Sequence, residues 1–296
     1  MSGPTTPLRL ALIGAGRVGT AVTELLRRRG HVVAGVASRS AESARRAAGF
    51  LDADVFDYHT SLPDAEVVLL GVPHGVIEEV AGLVAERLQT GTRCVVVHFA
   101  GAAGIAPLTP VLDARTGAAA LHPVQSCPDL RSALERLPGS AWGVTASAGH
   151  EAWATEFIAR ELSGDPVVVA EEHRPLWHAA ATITSNGIAA LLATGESLMA
   201  SIEVEAPERV LGPLAAGTVT NAVAGGGGAA TLTGPVVRGE SETVAGHLEH
   251  IIGTAPHLAE DYARVVRVIV AAALRARRID EQTAGRVIRL LEENQG

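Results

Sequence analysis

The 296-residue chain contains no lysine; all 24 of its basic residues are arginine. That absence excludes Schiff-base chemistry, a phosphate-gripping Walker lysine and a lysine general acid, so any proton transfer falls to His, Tyr, Asp, Glu or Cys. Cysteine is nearly as scarce. Cys94 and Cys127 lie far apart and form no Cys-x-x-Cys pair, which excludes a disulfide framework and a thiolate zinc site. Aromatic residues make up only 3% of the chain, so the core has to be built from Ala, Val and Leu. Basic charge is also short: a net charge of −8 argues against a nucleic-acid partner, whose phosphates need a basic face. No segment supplies the roughly 18 uninterrupted apolar residues of a membrane span, and residues 1–7 lack a charged stretch followed by an apolar run. The expectations are no membrane partner and a cytoplasmic location.

What is present is an alternation of short apolar runs with helical periodicity. Residues 8–13 form an apolar run ending at Gly14-Ala15-Gly16-Arg17-Val18-Gly19, after which Val18, Val22, Leu25 and Leu26 recur at helical spacing. Residues 32–37 form a second β-branched run, which completes a βαβ unit. Further strands are expected at 67–72, 94–99, 118–121, 142–146 and 166–170, with helices between some of them. Such alternation predicts a mostly parallel sheet covered on both faces. From about residue 171 the periodic stretches are helical throughout. The fold class expected is α/β, a doubly wound sheet over residues 1–170 followed by an all-α domain over residues 171–296.

The turn after the first strand carries the chemistry. In Gly14-x-Gly16-x-x-Gly19 the first glycine permits a tight turn, the second lets the backbone approach a pyrophosphate, and the third lets helix and strand pack closely. Residues 14–19 are therefore expected to bind a dinucleotide. At the end of the second strand an Asp or Glu would accept the ribose hydroxyls of NAD, but this chain has Ser38-Arg39-Ser40. A guanidinium flanked by hydroxyls suits a 2′-phosphate, so NADP is the expected cofactor. The competing reading makes Arg39 a solvated surface residue and Ser40 merely a helix cap. Val72 and Pro73, where the third strand run ends, are placed to line the nicotinamide ribose.

Two features point to a reaction centre. His122 sits in Leu121-His122-Pro123-Val124-Gln125-Ser126, after a strand. His178, Thr182, Ser185 and Asn186 are spaced i, i+4, i+7 and i+8 on an otherwise apolar helix, which places them on one face. Buried polar groups require partners, supplied either by a ligand or by an internal network. His178 is the first candidate for the acid that protonates a carbonyl oxygen, since imidazole exchanges protons near neutrality; His122 is its rival. Arg238, in Thr233-Gly234-Pro235-Val236-Val237-Arg238-Gly239-Glu240, is available either to grip a substrate carboxylate or to pair with Glu240. His247, His250 and His257 lack a matched ligand set, so no metal is expected.

With these motifs in order, the chain resembles a family of oxidoreductases in which a Rossmann-like domain precedes a helical domain of unknown function, DUF2520. The resemblance spans nearly the whole chain, through the glycine fingerprint, Leu121 to Ser126, His178-Ala179-Ala180 leading to Ser185-Asn186, and Leu232 to Pro235 leading to Arg238-Gly239-Glu240. It implies a homodimeric NADP-dependent reductase related to ketopantoate and pyrroline-carboxylate reductases, with 2-dehydropantoate (ketopantoate) as the first substrate expected. Arg238 would hold the carboxylate, with Thr182, Ser185, Asn186, Gln125 and Ser126 around the substrate. The lysine that the familiar ketopantoate enzymes use is absent, and Ala100-Gly101-Ala102 stands where the family tends to have Ser-Gly-Ala. Two other readings stay open: reduction of an imine or a deazaflavin partner, and an NADP-binding sensor without turnover.

Overall fold

A computed structural model of the chain describes residues 6–88, 93–113 and 115–293; the first five residues, part of the amino-terminal stretch considered above, lie outside it. The chain begins with β1 (Arg9–Ile13), α1 (Arg17–Arg28), β2 (Val32–Ala37), α2 (Ala41–Leu51), β3 (Val67–Leu70), α3 (Ile77–Arg87) and β4 (Cys94–His98). It continues with β5 (Thr116–Pro123), α4 (Leu130–Arg136), β6 (Ala141–Ala146), α5 (Glu151–Glu156) and β7 (Asp165–Val168). These strands make one seven-stranded sheet in the order β2-β1-β3-β4-β5-β6-β7. Strands β1 to β5 are parallel, β6 runs antiparallel to β5, and β7 is parallel to β6. The reversal follows from the short α4 connection, which returns the chain beside β5.

Successive residues of a strand face opposite sides, so a sheet covered on both faces needs apolar residues at every position. In β1, Leu10 and Leu12 pack with Val22 and Leu26 of α1, while Ala11 and Ile13 pack with Ile77 and Val80 of α3. Each of these side chains is buried. A single-residue bridge, Val36 to Val55, extends the sheet beyond β2.

Helices make up the rest: α6 (Arg174–Thr182), α7 (Ile188–Ala200), α8 (Pro207–Ala224), α9 (Pro235–Arg238), α10 (Ser241–Thr254), α11 (Ala259–Arg275) and α12 (Glu281–Glu293). Two compact units result, residues 1–185 and 186–296, so the division falls beyond the boundary expected at 170. The reason is Arg174, whose fully buried side chain binds α6 to backbone carbonyls of the sheet unit. The second unit has its own core, in which Val244 and Leu248 of α10, Val266 and Val270 of α11, and Val287 and Leu291 of α12 meet. Ala263, Val266 and Val270 of α11 are thus buried inside this unit. By contrast α7 and α8 bury none of their residues, and Leu191, Val210, Leu214 and Val223 are exposed.

Candidate active site

The carboxyl ends of β1, β3 and β4 open into a cavity of about 790 Å³. Gly14 has φ +97°, and a Cβ there would lie 2.6 Å from the Gly71 carbonyl carbon; at Gly16 it would lie 2.9 Å from the Gly71 oxygen, and at Gly19 2.9 Å from the Gly71 Cα. The turn therefore packs backbone against backbone, which only glycine allows. Gly16 caps α1, whose first turn carries no acidic residue, so its free N–H groups and dipole favour an anion. Arg17 is tied down by hydrogen bonds to the carbonyls of Cys127 and Pro128.

Ser38, Arg39, Ser40 and Ser43 line the same cavity, as do Val72, Pro73 and His74. Ser40 Oγ accepts the Ser43 N–H at 3.3 Å and caps α2, so the capping role weighed for it is real. Arg39 has no hydrogen bond or ion pair among the described residues. A cradle that excludes side chains, a helix N-terminus and an unpaired guanidinium fit a dinucleotide carrying a 2′-phosphate.

Beyond the cradle, the loop after β4 is held by two buried groups. His98 Nδ1 accepts the Ala100 N–H at 3.1 Å and its Nε2 lies 2.7 Å from the Gly104 carbonyl oxygen. With Nδ1 accepting, the imidazole is neutral and donates through Nε2. Burial above all pushes its pKa down to about 4, and the positive charge of Arg174 adds to the effect. Arg174 donates to Ala103 O at 2.9 Å, Gly143 O at 3.1 Å and Ala100 O at 2.7 Å. Burial lowers its pKa to about 10, so it stays charged at neutrality.

One turn along α6, Trp177 Nε1–H donates to His122 Nδ1 at 3.0 Å. The His122 and His178 rings meet edge to face, centroids 5.4 Å apart. Burial, then Arg174 and His178, push the His122 pKa down to about 4. His178 lines the same cavity as Gly14 and Arg39, while its Nδ1 is buried without a hydrogen-bond partner. The structure thus brings both candidate histidines together, and His122 lies within β5 rather than after it.

Other expected site residues stand elsewhere. A π-helical turn at Ile183–Gly187 interrupts the helix that carries His178, so the spacing of a continuous α-helix does not hold across it. Thr182, Ser185 and Asn186 are exposed, not buried as a polar stripe would be. Gln125 and Ser126 are also exposed, and they line no part of the cavity; Gln125 Nε2 donates to Ser140 Oγ at 3.4 Å. Arg238 is engaged by Glu240 through two contacts, Nε to Oε1 at 2.5 Å and Nη2 to Oε2 at 2.9 Å. The carboxylate of Glu240 fills the guanidinium fork that a substrate would need. His247 Nδ1 lies 2.9 Å from the Tyr262 hydroxyl, and no group of three or more metal-ligating side chains exists among the described residues.

Sequence reasoning missed Arg174 and Trp177. The signal was available: Arg174, Trp177 and His178 are spaced i, i+3 and i+4 and share one face of α6.

Residues 4–123 match the Rossmann-like domain family, and residues 140–269 match the domain of unknown function DUF2520. The chain is a Rossmann-like domain joined to a DUF2520 domain. The DUF2520 portion begins at the strand β6 and includes Arg174, Trp177 and His178. Among solved structures, this Rossmann–DUF2520 chain is similar to BF3122 from Bacteroides fragilis, provisionally described as an NADP oxidoreductase. The two share 24% identity with a TM-score of 0.73, over 89% of this chain and 98% of that one. TM1727 from Thermotoga maritima is 25% identical with a TM-score of 0.68, over 90% and 99% of the two chains. A reductive aminase from Aspergillus terreus, solved with NADPH and ethyl-5-oxohexanoate, is 15% identical with a TM-score of 0.59, over 97% and 93%. These likenesses establish a shared fold. A search of curated proteins by sequence gives no match.

Proposed function

We propose that this Rossmann–DUF2520 chain is an NADPH-dependent oxidoreductase that reduces a small 2-keto acid, with ketopantoate, reduced to pantoate, as the first candidate substrate. The observation that carries the reading is the unpaired Arg39 guanidinium at the mouth of a glycine-built cavity that also holds His178. Arg39 and Ser38 hold the 2′-phosphate, the amides of residues 14–19 hold the pyrophosphate, and Val72 and Pro73 line the far end. The dinucleotide supplies a hydride to the carbonyl carbon. His178 is the cavity group placed to meet the oxygen on which negative charge develops. Thr182, Ser185 and Asn186, whose side chains have no protein partner among the described residues, are candidates to orient the substrate. Similarity of fold to NADP-linked proteins supports the reaction class.

The Arg238–Glu240 pair favours a second reading. With that guanidinium occupied, carboxylate recognition requires the pair to open, whereas an imine acceptor needs no such ligand. The proposal includes a homodimer, because the apolar side chains exposed on α7 and α8 call for a covering surface, and a cytoplasmic site of action. No helix among the described residues is long and apolar enough to cross a membrane.

The test is oxidation of NADPH, with NADH in parallel, against ketopantoate, other 2-keto acids and cyclic imines. Turnover with ketopantoate and NADPH supports the first reading, and turnover with imines alone replaces it by the second. Tight NADPH binding without turnover on any acceptor leaves a nucleotide sensor.

A further inference from the structure

Trp177, His122 and His178 stand in a row above Gly101, and glycines make the space for them. A Cβ on Gly143, the residue paired with His122 across β5 and β6, would lie 2.6 Å from Trp177 Nε1. A Cβ on Gly101 would lie 2.2 Å from His178 Nδ1 and 2.8 Å from His122 Nε2. Those two nitrogens therefore face the same point.

Indole N–H can only donate. Its bond to His122 Nδ1 leaves that atom unprotonated, so the proton of the neutral ring sits on Nε2, the atom turned toward His178. His178 Nδ1 is buried and lacks a partner, and a buried polar atom is costly to leave unpaired. An unprotonated His178 Nδ1 that accepts from a protonated His122 Nε2 removes that cost.

We propose that Trp177, His122 and His178 form a one-way hydrogen-bond chain, in which the indole fixes His122 as its Nε2–H form and His122 fixes His178 to present a neutral Nε2–H to the cavity. The inference rests on the reductase reading and deepens it. Trp177 and His122 are positioning residues, and His178 is the catalytic hydrogen-bond donor. As hydride reaches the carbonyl carbon, the electron pair of the C=O bond moves to oxygen, which His178 Nε2–H stabilises as an alkoxide; solvent water then supplies the proton. A doubly protonated imidazole has no place in the chain, because a proton on His122 Nδ1 meets the indole N–H and one on His178 Nδ1 meets His122 Nε2–H. The charged group that acts on His122, besides its partner His178, is Arg174, which shares α6 with His178. No carboxylate bonds to either ring among the described residues, and burial disfavours a second proton on His122.

Imidazole nitrogen NMR of histidine-labelled, substrate-free protein tests this without turnover or nucleotide. The 11 histidines are resolved by single His122→Gln and His178→Gln variants. Expected are unprotonated Nδ1 and protonated Nε2 for both residues at about pH 8, with the His122 form unchanged down to about pH 6. Trp177→Phe is expected to give His122 mixed tautomers, and Gly101→Ala to alter His178 while His122 keeps its form. A protonated His122 Nδ1, a His178 whose Nδ1 carries the proton at about pH 8, or unchanged His122 signals in Trp177→Phe would overturn the chain. If Trp177→Phe does not fold, the wild-type spectra decide alone. In turnover, kcat is expected to stay flat between about pH 6 and about pH 8, and to fall roughly tenfold to a hundredfold in Trp177→Phe with KM little changed. A kcat that declines with rising pH as an acid is lost contradicts the neutral donor. Absence of any turnover would count against the reductase reading and not against the spectra.

Discussion

Acidification should destabilise this protein through two identified histidines. In the unfolded chain His98 and His122 titrate near 6.5, whereas in the fold each is held near 4, chiefly by burial. Each contribution is complete above the unfolded value, erodes as pH falls below it, and is gone below the folded one. At about pH 5 the unfolded chain binds a proton at each site and the folded chain does not, so each histidine removes about 2 kcal/mol, roughly 4 kcal/mol together. Urea unfolding of wild type and His98→Gln at about pH 7.5 and about pH 5 measures this directly. The variant starts less stable, because the Ala100 N–H loses its acceptor, at a cost of about 1–3 kcal/mol. Its further loss on acidification should be smaller than that of wild type by about 2 kcal/mol. An equal acid-induced loss in the two proteins would refute the assignment of a neutral, buried His98.

Three further outcomes follow from the same geometry. Gly14→Ala places a Cβ against the Gly71 backbone at a φ of +97°; we expect a loss of roughly 2–4 kcal/mol in thermal unfolding and no measurable NADPH binding. Arg174→Met leaves the carbonyls of Ala100, Ala103 and Gly143 without their donor, which should cost about 3–5 kcal/mol by denaturant titration. If the proposed homodimer forms through α7 and α8, Leu214→Glu, at an exposed apolar position of α8, should turn it into a monomer by light scattering, with NADPH affinity unchanged.

The Rossmann-like half was legible because its signals are local. Gly14, Gly16 and Gly19 follow a strand run and open a helix, and each has a contact that forbids a side chain. The central strands β1, β3, β4, β5 and β6 were legible because burial on both faces leaves continuous apolar runs. The reversal of β6 and β7 was not, since direction within a sheet depends on a connection rather than on pattern. The polar stripe at His178, Thr182, Ser185 and Asn186 assumed one unbroken α-helix, and the π-helical turn at Ile183–Gly187 breaks that assumption with no glycine or proline between His178 and Gly187 to announce it. Trp177 and His122 are far apart in sequence, so their hydrogen bond exists only in the fold. Arg238 and Glu240 are close enough in sequence that their pairing was foreseeable, and it was the alternative weighed.

The central claim is a site built for a 2′-phosphorylated dinucleotide. Paired fluorescence titrations of the wild-type protein with NADPH and NADH, repeated on Arg39→Ala, test it most directly. Wild type should bind NADPH at least tenfold more tightly, and Arg39→Ala should weaken NADPH roughly tenfold to a hundredfold while leaving NADH nearly unchanged, as loss of a charge-assisted contact requires. Equal affinities in wild type, or an Arg39→Ala variant that weakens both nucleotides alike, would contradict the account.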